Sequence, residues 1–375
     1  MPPSARVAPI LQLLAPVAVC GVLIALVPPA AQHAQAPDTD GFHDSHFHLT
    51  NYVQQGIEAT EFLRIMGTRV GRSTLFGIPL QQQWSHANSG DFAPTYYLQS
   101  DAPLYYYSFT DAYIASVYLR LPKADQARLD PMITGFNPAD MYGVDHIRRV
   151  LKTFPGVFTG IGEFSIHKEF VSSKVAGETA SLTNPALDRI LEFAAESGLV
   201  VILHNDIDMP FAKTDAEPVY LAQMKALLRR HSKASIIWAH VGLGRIVHPV
   251  QVSANAAERS PTQMEIVESM LSDPGLRHVA FDISWDEVAK YAVASPQSIE
   301  RVAAALNRYP DRFLFGTDTV APGGPGPYFA VFDLWAPIWK RLTPETSHKV
   351  RKGNYERIFD EGRRRVRAWE QTHTP

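Results

Sequence analysis

The sequence predicts an α/β protein, a (β/α)8 barrel. Eight short apolar runs of β type recur after residue 40, and runs of helical periodicity fill the gaps between them. These β-type runs lack the clean polar alternation of a half-exposed sheet, as parallel strands buried on both faces do. Polar residues able to carry chemistry stand at their C-terminal ends, where barrel enzymes build their sites. A doubly wound sheet is the alternative, but no glycine-rich phosphate turn follows the first strand to support it.

The chain has 375 residues, and 46% of them are hydrophobic, which excludes global disorder and allows a substantial core. Residues 8–32 are almost uniformly apolar, Arg6 precedes them, and Ala34-Gln35-Ala36 follows. That order is expected of a secretory signal peptide over residues 1–36, with the barrel domain over 37–375 and a periplasmic or secreted destination. An uncleaved membrane anchor is the competing reading, since the run is long enough to span. The one cysteine, Cys20, lies in this leader, so the mature chain would have no disulfide and no thiolate ligand. The formal net charge is -3 with no basic stripe, which argues against a dedicated nucleic-acid partner. A small-molecule substrate is expected, and homo-oligomers are open.

Strands are expected near 43–49, 73–79, 131–137, 157–166, 199–205, 235–242, 278–285 and 313–319. Helical spacing appears in Ile57, Phe62, Leu63 and Met66, then in Tyr113, Ile114, Val117, Tyr118 and Leu121. It recurs at Ile147, Val150, Leu151 and Phe154, at Leu187, Ile190, Leu191 and Ala194, and at Leu221, Met224, Leu227 and Leu228. Ile266, Val267 and Met270, then Val302, Ala305 and Leu306, complete the series. One connection is unusually long: 80–108, after strand 2, holds Trp84, His86, Phe92, Tyr96, Tyr97, Tyr105, Tyr106 and Tyr107. A loop so rich in aromatics is read as a lid or pocket wall over the barrel mouth; packing outside the barrel is the alternative. The stretch 320–328 reads as a second irregular loop.

The chemistry begins at His46-Phe47-His48. Side chains at i and i+2 of a strand share a side, so both imidazoles face one cavity and Phe47 turns away. Glu163 sits late in strand 4, His204 ends strand 5, His240 ends strand 6 and Asp318 ends strand 8. Buried together and unpaired, four histidines and two carboxylates are costly, whereas a divalent cation satisfies them at once.

The ordered set Asp44-Ser45-His46-Phe47-His48, Gly160-Ile161-Gly162-Glu163, Val201-Ile202-Leu203-His204, Trp238-Ala239-His240-Val241-Gly242 and Phe315-Gly316-Thr317-Asp318, with Gly353–Phe359 closing the chain, resembles the amidohydrolase superfamily of TIM-barrel metal-dependent hydrolases. The resemblance covers about residues 41 to 360 and is nearest to the branch that includes decarboxylase and lactonase types. It implies that His46, His48 and Asp318 bind a first metal, and that His204 and His240 bind a second. It also implies that Glu163 bridges the two, where many relatives have a carboxylated lysine. In mononuclear relatives one metal takes His46, His48, His204 and Asp318, and His240 orients the water. The implied reaction is attack of metal-activated water on a small ester, lactone or amide. Asp318 would move the proton, and His240 would help polarise the substrate oxygen. Zinc is the expected metal, one ion or two, with manganese, iron or cobalt compatible with the same nitrogen and oxygen donors. A decarboxylase on the same cage is the runner-up. A nuclease of the TatD kind, similar in Gly-Ile-Gly-Glu, is third.

Three further residues are candidates for substrate contact. Lys168 follows Glu163 and could hold an anionic group, or belong to a solvated basic loop. Arg245 follows His240 and could clamp a carboxylate, or form a surface salt bridge. Trp285, after strand 7, could line the pocket or pack under its loop.

Overall fold

The computed structural model describes residues 41–78, 83–100, 109–169, 171–172, 174–175, 178–210, 217–244 and 262–373. The leader, Arg245 and Tyr105–Tyr107 lie outside these residues.

Eight parallel strands follow one another in chain order around the sheet: β1 (Phe42–Asp44), β2 (Val70–Leu75), β3 (Leu129–Ile133), β4 (Gly160–Ser165), β5 (Val200–His204), β6 (Ser235–Trp238), β7 (Ala280–Asp282) and β8 (Phe313–Leu314). The last strand returns to the first. Thr319–Val320 pairs in parallel with Phe47–His48, and the Ser45 N–H donates to the Phe315 carbonyl at 3.0 Å. This closure makes a barrel and removes the doubly wound alternative.

Helices at Ala59–Met66, Phe109–Arg120, Gly143–Thr153, Pro185–Ser197, Leu221–Arg230, Gln263–Ser272 and Pro296–Arg308 surround the strands, and each carries apolar positions expected from the periodicity. The best capped is Pro185–Ser197. Asn184 accepts from the Ala186 N–H at its start, proline occupies the first turn, and Gly198 ends it in the left-handed region. Along β5 the period of two is plain. Val200 and Ile202 point into the barrel, while Val201 and Leu203 meet the helices. His204 therefore arrives on the inner side at the top.

The interior is packed by Phe76, Met132, Val200, Ile202, Ile237 and Leu314, and its floor is plugged by Tyr355, Ile358 and Phe359 from the final helix, Asn354–His373. Beneath them, buried Asp130 accepts from Tyr355 Oη at 2.8 Å, Arg72 at 2.8 Å and Arg363 at 2.6 Å. His43 lies at this lower end too, 2.9 Å from Glu356.

Two expectations change. The stretch 320–328 is only partly loop, because a helix, Pro325–Leu334, starts inside it; proline in the first helical turn has no N–H to lose and a φ already suited to the helix. Strands 1 and 8 are not continuous over the expected spans. The first breaks after Asp44 and resumes at Phe47, and the last breaks after Leu314 and resumes at Thr319.

Candidate metal centre

The breaks are what build the site. In β1, His43 faces the interior, so strict alternation would turn His46 outward. The bend at Ser45 shifts the phase by one residue, and His46 and His48 both enter the barrel mouth. Phe47 turns away as expected and stacks on Phe62, with ring centroids 3.5 Å apart. Buried Asp44 fixes the bend by accepting from the His46 N–H at 3.0 Å and the Thr317 N–H at 2.9 Å, and from the hydroxyls of Thr317 and Tyr328, each at 2.8 Å.

Glu163 needs a similar device. Opposite β5, Ile161 pairs with Val201 but Phe164 pairs with Leu203, so β4 carries one extra residue across that interval. The bulge turns Glu163 inward. Only glycine fits before it: φ at Gly162 is +110°, and an added Cβ would lie 2.1 Å from the Ile202 carbonyl oxygen. His240 and Asp318 also owe their direction to the backbone, with φ of 55° and 54° in the left-handed region.

All six residues expected as ligands converge at the top of the barrel. His46, His48, Glu163, His204 and His240 are buried, and Asp318 is 10% exposed. Glu163 lies at the centre. Its Oε2 is 3.7 Å from His46 Nε2 and 3.4 Å from His48 Nε2. Its Oε1 is 2.5 Å from His204 Nδ1 and 3.4 Å from His240 Nε2. Asp318 spans the same way, with Oδ1 3.1 Å from His48 Nε2 and 3.4 Å from His46 Nε2, and Oδ2 3.9 Å from His240 Nε2. The donors thus divide into two groups that share Glu163: His46, His48 and Asp318 on one side, His204 and His240 on the other.

The outer nitrogen of every ring is held. His46 Nδ1 donates to Asp282 at 2.9 Å, His48 Nδ1 to the Gly77 carbonyl at 2.7 Å, and His204 Nε2 to Asp206 at 2.9 Å. His240 Nδ1 donates to Ser284 Oγ at 2.9 Å, and that hydroxyl in turn donates to Asp282. These partners hold each ring by its outer nitrogen and turn the inner nitrogen to the cage, the arrangement that orients metal-ligating histidines.

Those inner nitrogens face carboxylate oxygens, and something positive must lie between, a proton or a cation: His204 Nδ1 and His48 Nε2 stand within hydrogen-bond range of Glu163 and Asp318. His46 Nε2, His240 Nε2 and Glu163 Oε2 are buried without a hydrogen-bond partner among the described residues. Electrostatics point the same way. Burial resists charge on His46, yet Asp282 and Glu163 raise its pKa well above the ordinary value. His48 is raised against burial by Asp318 and Glu163, and His204 is raised against burial and Lys168 by Glu163 and Asp206. His240 is lowered, by burial first and then by the neighbouring imidazoles. Despite burial, Lys168 and the histidines hold Glu163 and Asp318 below the usual carboxylate range. A divalent cation fits this donor set.

Of the three candidate substrate contacts, Lys168 lies beside the cage, with Nζ 3.8 Å from Glu163 Oε1. Trp285 is half-buried with its ring 5.4 Å from that of His240. The loop after β2 contributes Tyr97, buried against Ile78 with Tyr52 and Tyr96 packed on it, whereas Trp84 and Phe92 are 54% and 58% exposed. Sequence reasoning did not give Asp282 a role. It is fully buried, binds His46, and accepts from the His240 N–H at 2.8 Å. Nothing local distinguishes it from any polar residue at a strand end. Tyr52, in the turn after His48, was also missed.

Fold and site together define a barrel enzyme with a candidate metal site at its C-terminal mouth. The family is explicit: the model described as Amidohydrolase matches residues 44–360, so the chain belongs to the amidohydrolase family. It is an enzyme of that superfamily, whose members use divalent metals. No curated protein matches the sequence. Among solved structures, the chain is similar to an amidohydrolase from Burkholderia multivorans with bound zinc, at 14% identity over 85% of this chain and 99% of that one, with a TM-score of 0.50. A candidate 2-pyrone-4,6-dicarboxylic acid hydrolase from Pseudomonas putida matches at 13% identity over 86% and 98%, with a TM-score of 0.49. A 2,6-dihydroxybenzoate decarboxylase from Rhizobium matches at 13% identity over 86% and 99%, with a TM-score of 0.48.

Proposed function

We propose that the protein is a metal-dependent hydrolase that adds water to a small ester, lactone or amide. The observation that carries the reading is the set of buried imidazole nitrogens turned inward on Glu163 and Asp318. His46, His48 and Asp318 would hold one cation, His204 and His240 a second, and Glu163 would bridge them, because its two oxygens already address the two groups separately. Nitrogen and oxygen donors without sulfur favour zinc. Bound there, a divalent cation supplies Lewis acidity and brings the pKa of water to about 7.

The residues of the chain then divide the remaining work. Asp318, at the open edge of the cage and ionised at neutral pH, accepts the proton of the attacking water and returns it to the leaving group. His240, anchored by Ser284, keeps its Nε2 turned into the cage, as a ligand of the second cation requires. Trp285 walls the His240 side and excludes bulk solvent. The test is metal analysis of the purified protein joined to a panel of esters, lactones and amides. The reading expects bound zinc, hydrolysis of at least one class, loss of activity on chelation, and loss of metal in His48→Ala. Turnover surviving complete metal removal, or carbon dioxide release without hydrolysis, replaces it.

A further inference from the structure

We propose that Gly77, Thr110 and Gln54 are positioning residues of the metal centre: they fix the carbonyl that aims His48, and so set the affinity of one cation of the pair. The pair rests on the two-cation reading above; the aiming of His48 does not.

His48 is held twice from the end of β2. Its neighbour Leu49 donates its N–H to the Phe76 carbonyl at 2.8 Å, which seats the backbone. His48 Nδ1 donates to the Gly77 carbonyl at 2.7 Å, which turns the ring. Phe76 packs edge-on against that ring, with centroids 4.7 Å apart, but an apolar edge does not choose which nitrogen faces the cage. An imidazole aimed by one carbonyl points only as well as that carbonyl is fixed.

Gly77 lies two residues beyond the end of β2, and contact holds its peptide in place. A Cβ placed on it would stand 2.5 Å from the Thr110 methyl, 3.2 Å from Thr50 Oγ1 and 3.5 Å from Thr134 Oγ1. Carbon atoms do not pack at 2.5 Å, and all three threonines are buried. The backbone does not demand glycine here, since φ is not positive; the neighbours do.

Thr110 is poorly placed to retreat. A β-branched side chain is stiff at χ1, and the Thr110 hydroxyl donates to Gln54 Oε1 at 2.6 Å. The residue opens the helix Phe109–Arg120 beside Asp111, whose buried carboxylate accepts from the Thr134 N–H at 2.8 Å and the Gly135 N–H at 3.0 Å. The helix start is thereby tied to the end of β3. Gln54 is fixed in turn, because Asn51 Oδ1 accepts from the N–H groups of Val53 and Gln55 at 3.1 and 3.0 Å and closes the turn around it. An atom added at Gly77 therefore displaces Gly77 itself, and its carbonyl with it. The line of contact runs from Gln54 through Thr110 and Gly77 to His48. His204 and His240 rest on other supports, Asp206 and Ser284.

Titration of zinc-free protein with zinc against a competing chelator tests this without a known substrate. Gly77→Ala should weaken the site that His48 serves by about tenfold or more and leave the other within about twofold. Thr110→Ser deletes the clashing methyl and keeps the hydroxyl on Gln54. Combined with Gly77→Ala in one chain, it should bring zinc affinity back to within about threefold of wild type. A general loosening of the fold would instead lower the urea midpoint of the zinc-free protein, and the second change would not restore zinc affinity. Thr110→Val keeps the methyl and deletes the bond to Gln54, and should cost the same site about threefold. Undiminished zinc affinity in folded Gly77→Ala, or no recovery in the folded double variant, overturns the proposal. Where Gly77→Ala does not fold, undiminished affinity in Thr110→Val overturns it. One zinc per wild-type chain refutes the two-cation reading, and loss with recovery at that one site leaves the positioning role standing; two zinc ions, both indifferent to Gly77→Ala, do the reverse.

Discussion

Replacing Asp282 by asparagine isolates the outer support of the cage. The carboxylate accepts from His46 Nδ1–H at 2.9 Å, from the His240 N–H at 2.8 Å, from the Ser284 N–H at 3.2 Å and from the Ser284 hydroxyl. The amide oxygen of asparagine can keep the three partners of Oδ1. Its NH2 group then stands where Oδ2 was, donor against donor with His46. The ring escapes by moving its proton to Nε2, which points into the cage, and the lone pair meant for the cation is lost. Loss of an outer carboxylate of this kind weakens metal binding about 10–100-fold, or roughly 1.4–2.7 kcal/mol. The measurement is a titration of zinc-free protein against a competing chelator at neutral pH. His48→Ala, which deletes a ligand, should lose more. Ser284→Ala, which removes the acceptor of His240 and one donor to Asp282 but leaves the Asp282 carboxylate on His46, should lose less. An Asp282→Asn protein that binds zinc within about twofold of wild type would refute the argument that tautomer control by Asp282 prepares the site.

Three other outcomes are expected. Asp130→Ala leaves Arg72, Arg363 and Tyr355 without their shared acceptor under the barrel and should cost about 3 kcal/mol or more in urea unfolding; zinc stoichiometry in the folded variant should not change. His167, stacked on Tyr220, has its pKa pushed down to about 4 by burial against the pull of Asp206. The unfolded chain therefore binds this proton first, so stability is lost as pH falls from about 6.5 towards 4. His167→Phe should flatten that part of the unfolding profile. Finally, if residues 1–36 are a cleaved leader, N-terminal sequencing of the exported protein should begin at Pro37.

The ligands were legible because metal chemistry restricts residue types and a barrel restricts where they stand. His204 is the simplest case: two inward apolar residues precede it at a spacing of two, and the same face continues to the histidine. His46 and Glu163 were placed correctly, but the reason was hidden. Apolar pattern shows neither the bend at Ser45 nor the extra residue in β4, and without them both side chains point out of the barrel. The same limit applies to Asp318 and His240, whose left-handed backbone leaves no mark on the sequence. Asp282 and Tyr52 escaped for another reason. Asp282 acts on His46, and a pair so far apart in the chain is brought together only by the closed fold; Tyr52 meets Tyr96 and Tyr97 across a loop whose path the apolar pattern does not give.

The seam between Phe47–His48 and Thr319–Val320 also sets an order of events. The cage takes its parts from residue 46 to residue 318, and the floor of the barrel waits for Tyr355 and Phe359. A nascent chain emerging N-terminus first holds at most His46 and His48 until more than a hundred further residues follow, and no closed ring until strand eight is released. Pairings this distant close late. A cation taken by this set would thus be captured by the finished barrel, and its binding free energy would act as a latch on a completed fold, not as a guide to an incomplete one.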